Sequence, residues 1–349
     1  MRIALIGTGV TPIPPVGYGS ISQAIWELSQ ALQAAGHDVR IVNSTRRGVQ
    51  VDQFGFARDL AKLLGSAPTD IVHAHTGLPG LRLHLLDVPY VYTTHNPAWF
   101  VPDRTLYRWN FWLDRWATVH SSVTITESER VAAVVRRYLG GRRDSSVRTI
   151  PHGIDLGRFP AAPSAGDGHV ALGLGAIRRI KRWDVAVRAL DRTGIRLRIV
   201  GPVQDPGYAE ELRRMGPVDL LGEISADEVV REMHAAGFLV HPSASETFGL
   251  SVAESLACGR PVVASPAVAP LLVDGVTGFV APERADDEAG LVRYFHDRAL
   301  ELSQDAVQRE RMGREGRRWA EAHYAWDKVA AAHLEIYREV LDRTGPAMR

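Results

Sequence analysis

Residues 241–265, HPSASETFGLSVAESLACGRPVVAS, decide the fold. Just before them Gly237–Val240 is an apolar run of a length that suits a buried strand. Small and polar residues follow, then Glu246, Thr247, Phe248 and Gly249. Leu250 to Cys258 all suit a short helix, which Gly259 stops and Pro261 prevents from continuing. The segment PVVAS, Pro261–Ser265, is the next buried strand. Strand, loop, helix and strand in so short a span make one βαβ unit of a parallel sheet.

This unit places two carboxylates. Glu246 falls in the loop at the carboxyl end of the first strand, and Glu254, eight positions on, falls in the first or second turn of the helix. Between them, loop N–H groups and the helix N-terminus form an anion site. A ligand with phosphates at its centre and hydroxyls at both ends fits such a site, and nucleotide sugars have that shape.

Composition bounds the alternatives. A chain of 349 residues with 45% hydrophobic and 23% charged residues suits two globular domains, each with its own core. A formal net charge of +1 carries no global basic footprint, so nucleic acid is not an expected partner. The single cysteine, Cys258, cannot form an intramolecular disulfide and, with small apolar neighbours, is expected to be buried and inert. No apolar run is long enough to span a membrane, and MRIALIGTGV is a first strand rather than a signal peptide, so a cytoplasmic protein is expected. There is no metal-ligand Cys/His spacing and no Asp-x-Asp clamp, so no metal or other cofactor is expected.

The pattern Glu, seven residues, Glu, with FGL inside and ACGRPVV after, resembles the donor-site signature of family 4 of the retaining glycosyltransferases. The resemblance implies the GT-B fold: two Rossmann-like, doubly wound α/β domains facing a central cleft, with a C-terminal helix returning to the first domain. It implies residues 1–160 as an acceptor-binding domain, 161–325 as a donor domain and 326–349 as the returning helix. By resemblance Glu246 holds the transferred sugar, Glu254 the ribose, and the backbone of Phe248, Gly249, Leu250 and Ser251 the diphosphate. The implied partners are a UDP-, GDP- or dTDP-sugar and a hydroxyl acceptor. Two other readings stay open: an epimerase or phosphorylase on the same fold, and a nucleotide-sugar-binding protein without activity.

In the first half, strand candidates at Arg2–Gly7, Val39–Val42, Asp70–His73, Pro89–Thr93, Val123–Thr126 and Val147–Ile150 alternate with helices at 20–35, 52–65, 104–118 and 127–139. Ligands of such sheets bind at the carboxyl ends of the strands. The first loop, GTGVTPIPPVGYGS, breaks the dinucleotide fingerprint at Pro12, which argues against a Rossmann oxidoreductase. Gly17 and Gly19 let N–H groups approach an anion just before the helix, and by resemblance they touch the donor diphosphate; Ser20 stands where the family's second glycine is usual.

His73 and His75 follow one strand and His95 the next. The first two are read as structural. Thr93-Thr94-His95 resembles the family's Thr-x-His, which implies that His95 contacts the donor sugar near the reacting centre. Leu106, Trp109, Leu113 and Trp116 share one helical face. That face either packs on the sheet or, with Trp99 and Trp112, forms an aromatic wall for an acceptor. Arg104, Arg108 and Arg115 beside it leave a peripheral membrane contact open. Glu127, Ser128 and Glu129 are expected to cap the helix Arg130–Leu139.

The small, turn-rich PAAPSAGDGH, residues 160–169, is the linker candidate, with the boundary near Pro160. The family's lysine after Gly-Arg-Leu corresponds to Lys181, whereas Ala176 stands in place of the arginine. Lys181 is therefore expected to stabilise the leaving diphosphate, with Arg178 and Arg182 as further cations. Helices 286–300, 303–323 and 327–342 close the chain.

Overall fold

The computed structural model describes residues 1–15, 20–43, 53–95, 108–140, 146–283 and 288–348. They form two compact units, Met1–Gly153 with Trp326–Arg349, and Ile154–Ala325. Gly17, Gly19, Trp99, Arg104 and Leu106 lie outside the described residues.

The first unit contains β1 (Arg2–Ile6), α1 (Ser20–Ala34), β2 (Asp38–Val42), α2 (Gln53–Leu64), β3 (Ile71–Ala74), α3 (Gly77–Leu85), β4 (Val91–Thr94), α4 (Arg108–His120), β5 (Val123–Thr126), α5 (Glu129–Leu139) and β6 (Val147–Thr149). The strands run in the order β2-β1-β3-β4-β5-β6, all pairs parallel. Strand periodicity explains the layers. Ile3 and Leu5 point to one face, against Ile25 and Leu28 of α1, while Ala4 and Ile6 point to the other, against Phe56 and Leu60 of α2. A strand buried on both faces has no polar side to show, so it is apolar throughout.

Helix α3 carries glycine and proline near its start and has no expectation in the sequence. Its glycines serve contact rather than bending. A Cβ on Gly77 would lie 2.4 Å from the backbone of Leu113, and one on Gly80 would lie 2.6 Å from Ala117 Cβ, so α3 packs on α4 at a distance no larger residue permits. This also corrects the packing reading of α4. The face turned inward carries Asp114, Ala117 and Thr118, all buried, while Trp112 and Trp116 are 54% and 44% exposed. Asp114 is wanted inside because it accepts hydrogen bonds from the Tyr92 and Thr94 hydroxyls.

The second unit contains β7 (Asp167–Leu174), a 3-10 turn at Arg179–Lys181, α6 (Trp183–Leu190), β8 (Arg196–Val200), α7 (Pro206–Met215), β9 (Val218–Gly222), α8 (Ala226–Ala235), β10 (Ala236–His241), α9 (Leu250–Ala257), β11 (Val262–Ala264), a second 3-10 stretch at Pro266–Leu271, β12 (Gly278–Val280), α10 (Glu288–Gln304) and α11 (Ala306–His323). Its order is β12-β11-β10-β7-β8-β9, again all parallel. The central strand alternates in the same way: Phe238 and Val240 enter one core cluster and Leu239 the other.

The division of the chain falls after Gly153, not near Pro160. Ile154 and Phe159 belong to the second unit's core, and Ile154 N–H donates to the Tyr324 carbonyl at 2.6 Å. The linker candidate is fixed for a reason its composition hides. Buried Arg260 donates to the carbonyls of Ser164, Met233 and His234, and Arg309 donates to that of Ala165. Burial pushes the Arg260 guanidinium down to about 10, which leaves it charged at neutral pH and in need of those carbonyls. The last helix, α12 (Trp326–Thr344), belongs to the first unit, where Val329, Leu334 and Tyr337 enter the core with Ile25 and Leu28. Gly153 sits so close beneath Trp326 that a Cβ there would lie 2.3 Å from the indole. Among the described residues no helix is long and apolar enough to cross a membrane.

Candidate active site

In the second unit, β10 ends at His241 and α9 begins at Leu250, and Glu246 sits in the loop between them. Its carboxylate is the hub. Oε1 accepts from Lys181 Nζ at 2.6 Å and from His241 Nε2 at 3.1 Å. Because a carboxylate only accepts, His241 carries a proton on Nε2. Its Nδ1 lies 3.3 Å from Ser251 Oγ in the first turn of α9. Oε2 of Glu246 has no hydrogen-bond partner among the described residues. Burial alone would push the carboxyl up, but the His241 hydrogen bond and the Lys181 charge outweigh it and hold Glu246 well below the usual carboxylate range.

The loop is fastened to the turn that carries Lys181. Ala244 N–H donates to the Ile180 carbonyl at 2.8 Å, and Ser243 Oγ donates to the same oxygen. Gly249 caps α9 with φ +110, a conformation side chains resist, and a Cβ would lie 2.7 Å from Val268 Cγ1. Phe248 is buried edge-on to Tyr324. Thus the N-terminus of α9 opens onto the loop that carries Glu246. Glu254 is half-buried in the second turn of the same helix. The expected residues Glu246, Phe248, Gly249, Leu250, Ser251 and Glu254 are therefore contiguous on one loop and one helix.

The three arginines around Lys181 differ. Arg179 is tied to Glu211 at 2.8 Å and stacks on Tyr208. Arg178 is exposed and Arg182 half-buried, and neither has an acidic partner among the described residues. Ala176, where the family has arginine, is occupied through its carbonyl, which accepts from Trp183 Nε1 at 3.1 Å.

In the first unit, β3 and β4 are neighbours, so His73, His75 and His95 gather at their carboxyl ends. His73 is structural, as expected: its ring nitrogens meet Tyr337 Oη and Thr93 Oγ1, both at 2.7 Å. His95 Nδ1 lies 2.9 Å from Glu127 Oε1, and His95 Nε2 lies 3.1 Å from His75 Nδ1. Glu127 thus has a role beyond the cap expected of it, as a histidine partner. Of the expected trio, Ser128 accepts from Val131 N–H and Glu129 pairs with Arg136. His75, His95, Glu127, His152, Trp326 and His333 line one pocket of this unit.

Two partners escaped sequence reasoning. His241 stands at a strand end five residues before Glu246, a position that could have flagged it. Glu127 is 32 residues from His95, a separation with no readable signal.

Comparisons with known proteins identify the family. Residues 21–158 match the model described as Glycosyltransferase Family 4, and residues 168–296 match Glycosyl transferases group 1. The chain is similar to alpha-maltose-1-phosphate synthase of Mycobacterium tuberculosis, 25% identical over 97% of this chain and all of that protein. It is also similar to D-inositol 3-phosphate glycosyltransferase of Streptomyces avermitilis, 30% identical over 60% of this chain and 50% of that one. Among solved structures, sucrose-phosphate synthase from Thermosynechococcus elongatus superposes with a TM-score of 0.79 at 20% identity, covering 99% of this chain and 100% of that one. Anabaena HepE, solved in complex with UDP-glucose, gives 0.74 at 16% identity over 97% and 100%. The chain belongs to the glycosyltransferases of family 4 and group 1 and is an enzyme of the GT-B fold.

Proposed function

We propose that the enzyme moves a hexose-type sugar from a nucleotide-sugar donor to a hydroxyl acceptor, with retention of anomeric configuration and without a metal ion. One observation carries this reading: Glu246, in the loop that leads into α9, is locked through Oε1 by Lys181 and His241, and Oε2 has no hydrogen-bond partner among the described residues. An unclaimed carboxylate oxygen accepts sugar hydroxyls, and a helix N-terminus accepts phosphate. That HepE was solved with UDP-glucose supports a donor of this kind, and the base stays open among UDP, GDP and dTDP.

In the proposed reaction the bond from the anomeric carbon to the diphosphate breaks, and a bond to the acceptor oxygen forms on the same face. The acceptor's proton passes to the departing phosphate oxygen. Lys181, the α9 N-terminus, and Arg178 and Arg182, which have no acidic partner among the described residues, balance the charge on the leaving group. Glu246, already paired with two donors, is a poor nucleophile and serves as a sugar ligand. His95 is read as a second sugar-hydroxyl contact and Glu254 as the ribose ligand.

The test incubates UDP-, GDP- and dTDP-glucose with maltose, inositol 3-phosphate or glucose 1-phosphate. Free nucleoside diphosphate should appear only with an acceptor, and product NMR should show the donor's anomeric configuration. Acceptor-independent release, or an inverted product, refutes the reading.

A further inference from the structure

The histidine pair of the first unit is wired in one direction. Glu127 is 8% exposed and its carboxylate only accepts, so the 2.9 Å contact places a proton on His95 Nδ1. In the neutral ring Nε2 is then a lone pair, and the 3.1 Å contact from His75 requires the proton on His75 Nδ1. This leaves His75 Nε2 as a bare acceptor. That atom is buried and has no hydrogen-bond partner among the described residues. The assignment is self-consistent, because a buried acceptor without a partner is tolerated more readily than a stranded N–H. The reverse wiring turns a lone pair of His95 toward the Glu127 carboxylate and strands an N–H on His75.

The wiring is also clamped. The His75 ring lies 4.2 Å from that of His73, which Thr93 and Tyr337 hold from both sides. Tyr337 comes from α12, so the last helix of the chain braces the histidine cluster.

We propose that Glu127 and His75 are positioning residues that hold His95 in its Nδ1-protonated form, so that His95 Nε2 meets substrate as an acceptor. This rests on the reading above in which His95 contacts a sugar hydroxyl. On binding, that hydroxyl enters between the two rings, donating its own hydrogen to His95 Nε2 and accepting from His75 Nδ1–H. Glu127 therefore decides the direction of a substrate hydrogen bond without touching substrate.

The experiment is long-range 1H–15N NMR of the imidazoles in the ligand-free enzyme, with Glu127→Gln beside the wild type. The wild type should show His95 and His75 each protonated at Nδ1 and bare at Nε2. The glutamine amide can donate as well as accept, so the variant should show His95 mixed between forms. With whichever of UDP-, GDP- or dTDP-glucose the wild type consumes, the variant should lose about 10- to 100-fold in kcat/KM, the scale of a buried hydrogen bond left unmade. His95 protonated at Nε2 and bare at Nδ1 in the wild type overturns the proposal, and this holds even where the variant fails to fold. An unchanged tautomer and unchanged kcat/KM in the variant overturn it as well. A wild type that consumes no donor but shows the stated tautomers sinks the transfer reading and leaves the wiring standing.

Discussion

Replacing Glu246 with glutamine removes the charge that Lys181 and His241 share while keeping the side-chain shape. The magnitude follows from burial. The side chains of Lys181 and Glu246 are only 16% and 14% exposed, with Nζ and Oε1 2.6 Å apart. Breaking a fully buried pair costs about 3–5 kcal/mol, and an exposed pair is worth under about 1 kcal/mol. Partial exposure, and an amide oxygen that still accepts, bring the expectation to about 2 kcal/mol. For a unit of this size that lowers Tm by about 4–8 °C. The pH dependence has a definite sign. The folded carboxyl is held below its ordinary 4.5, so its contribution is complete above that pH and is lost as pH falls further. Thermal melts of wild type and variant from pH 8 to 3 should therefore run parallel above about 4.5 and converge below it. Equal Tm values at pH 7, or a gap that widens in acid, would refute the reasoning.

Three further outcomes follow. Gly249→Ala, forced to φ +110 with its Cβ 2.7 Å from Val268, should lose about 1–3 kcal/mol in urea unfolding and weaken donor binding by tilting the start of α9. His73, His75 and His333 are buried and held neutral, chiefly by burial and further by neighbouring histidines, with His333 pushed down to about 4 against the Val329 carbonyl bond that favours its charge. Their neutral state favours folding above the ordinary 6.5, so the first unit should lose stability as pH falls below that value, by up to about 1.4 kcal/mol per pH unit for each ring, and His333→Leu should flatten this slope. Tyr337→Phe strips His73 Nδ1 of its partner and should destabilise the same unit by about 1–3 kcal/mol in denaturant titration.

The parallel sheets were legible because strands buried on both faces are apolar runs, and Gly237–Val240 and Val262–Ala264 read alike in sequence and structure. The donor loop was legible because its residues are adjacent in the chain: Glu246, Gly249 and Glu254 lie within one strand-to-helix connection. What sequence could not supply was partnership at a distance. Nothing near Glu127 announces His95, nothing in PAAPSAGDGH announces Arg260, and nothing in the glycines of α3 announces the close packing of Ala117 against them. The reading that packed Trp116 on the sheet failed for the same reason, since Asp114 of α4 is drawn inward by two hydroxyls of β4.

The central claim is that the start of α9, with a carboxylate on either side, grips an activated sugar. A thermal-shift panel of UDP-, GDP- and dTDP-sugars on wild type and Glu254→Ala tests it most directly. At about 100 times Kd a ligand adds about 2.7 kcal/mol, so one of these sugars should raise the wild-type Tm by about 5–10 °C, and the variant should lose most of that rise. No shift with any of the three, or a shift of equal size in the variant, would contradict the claim.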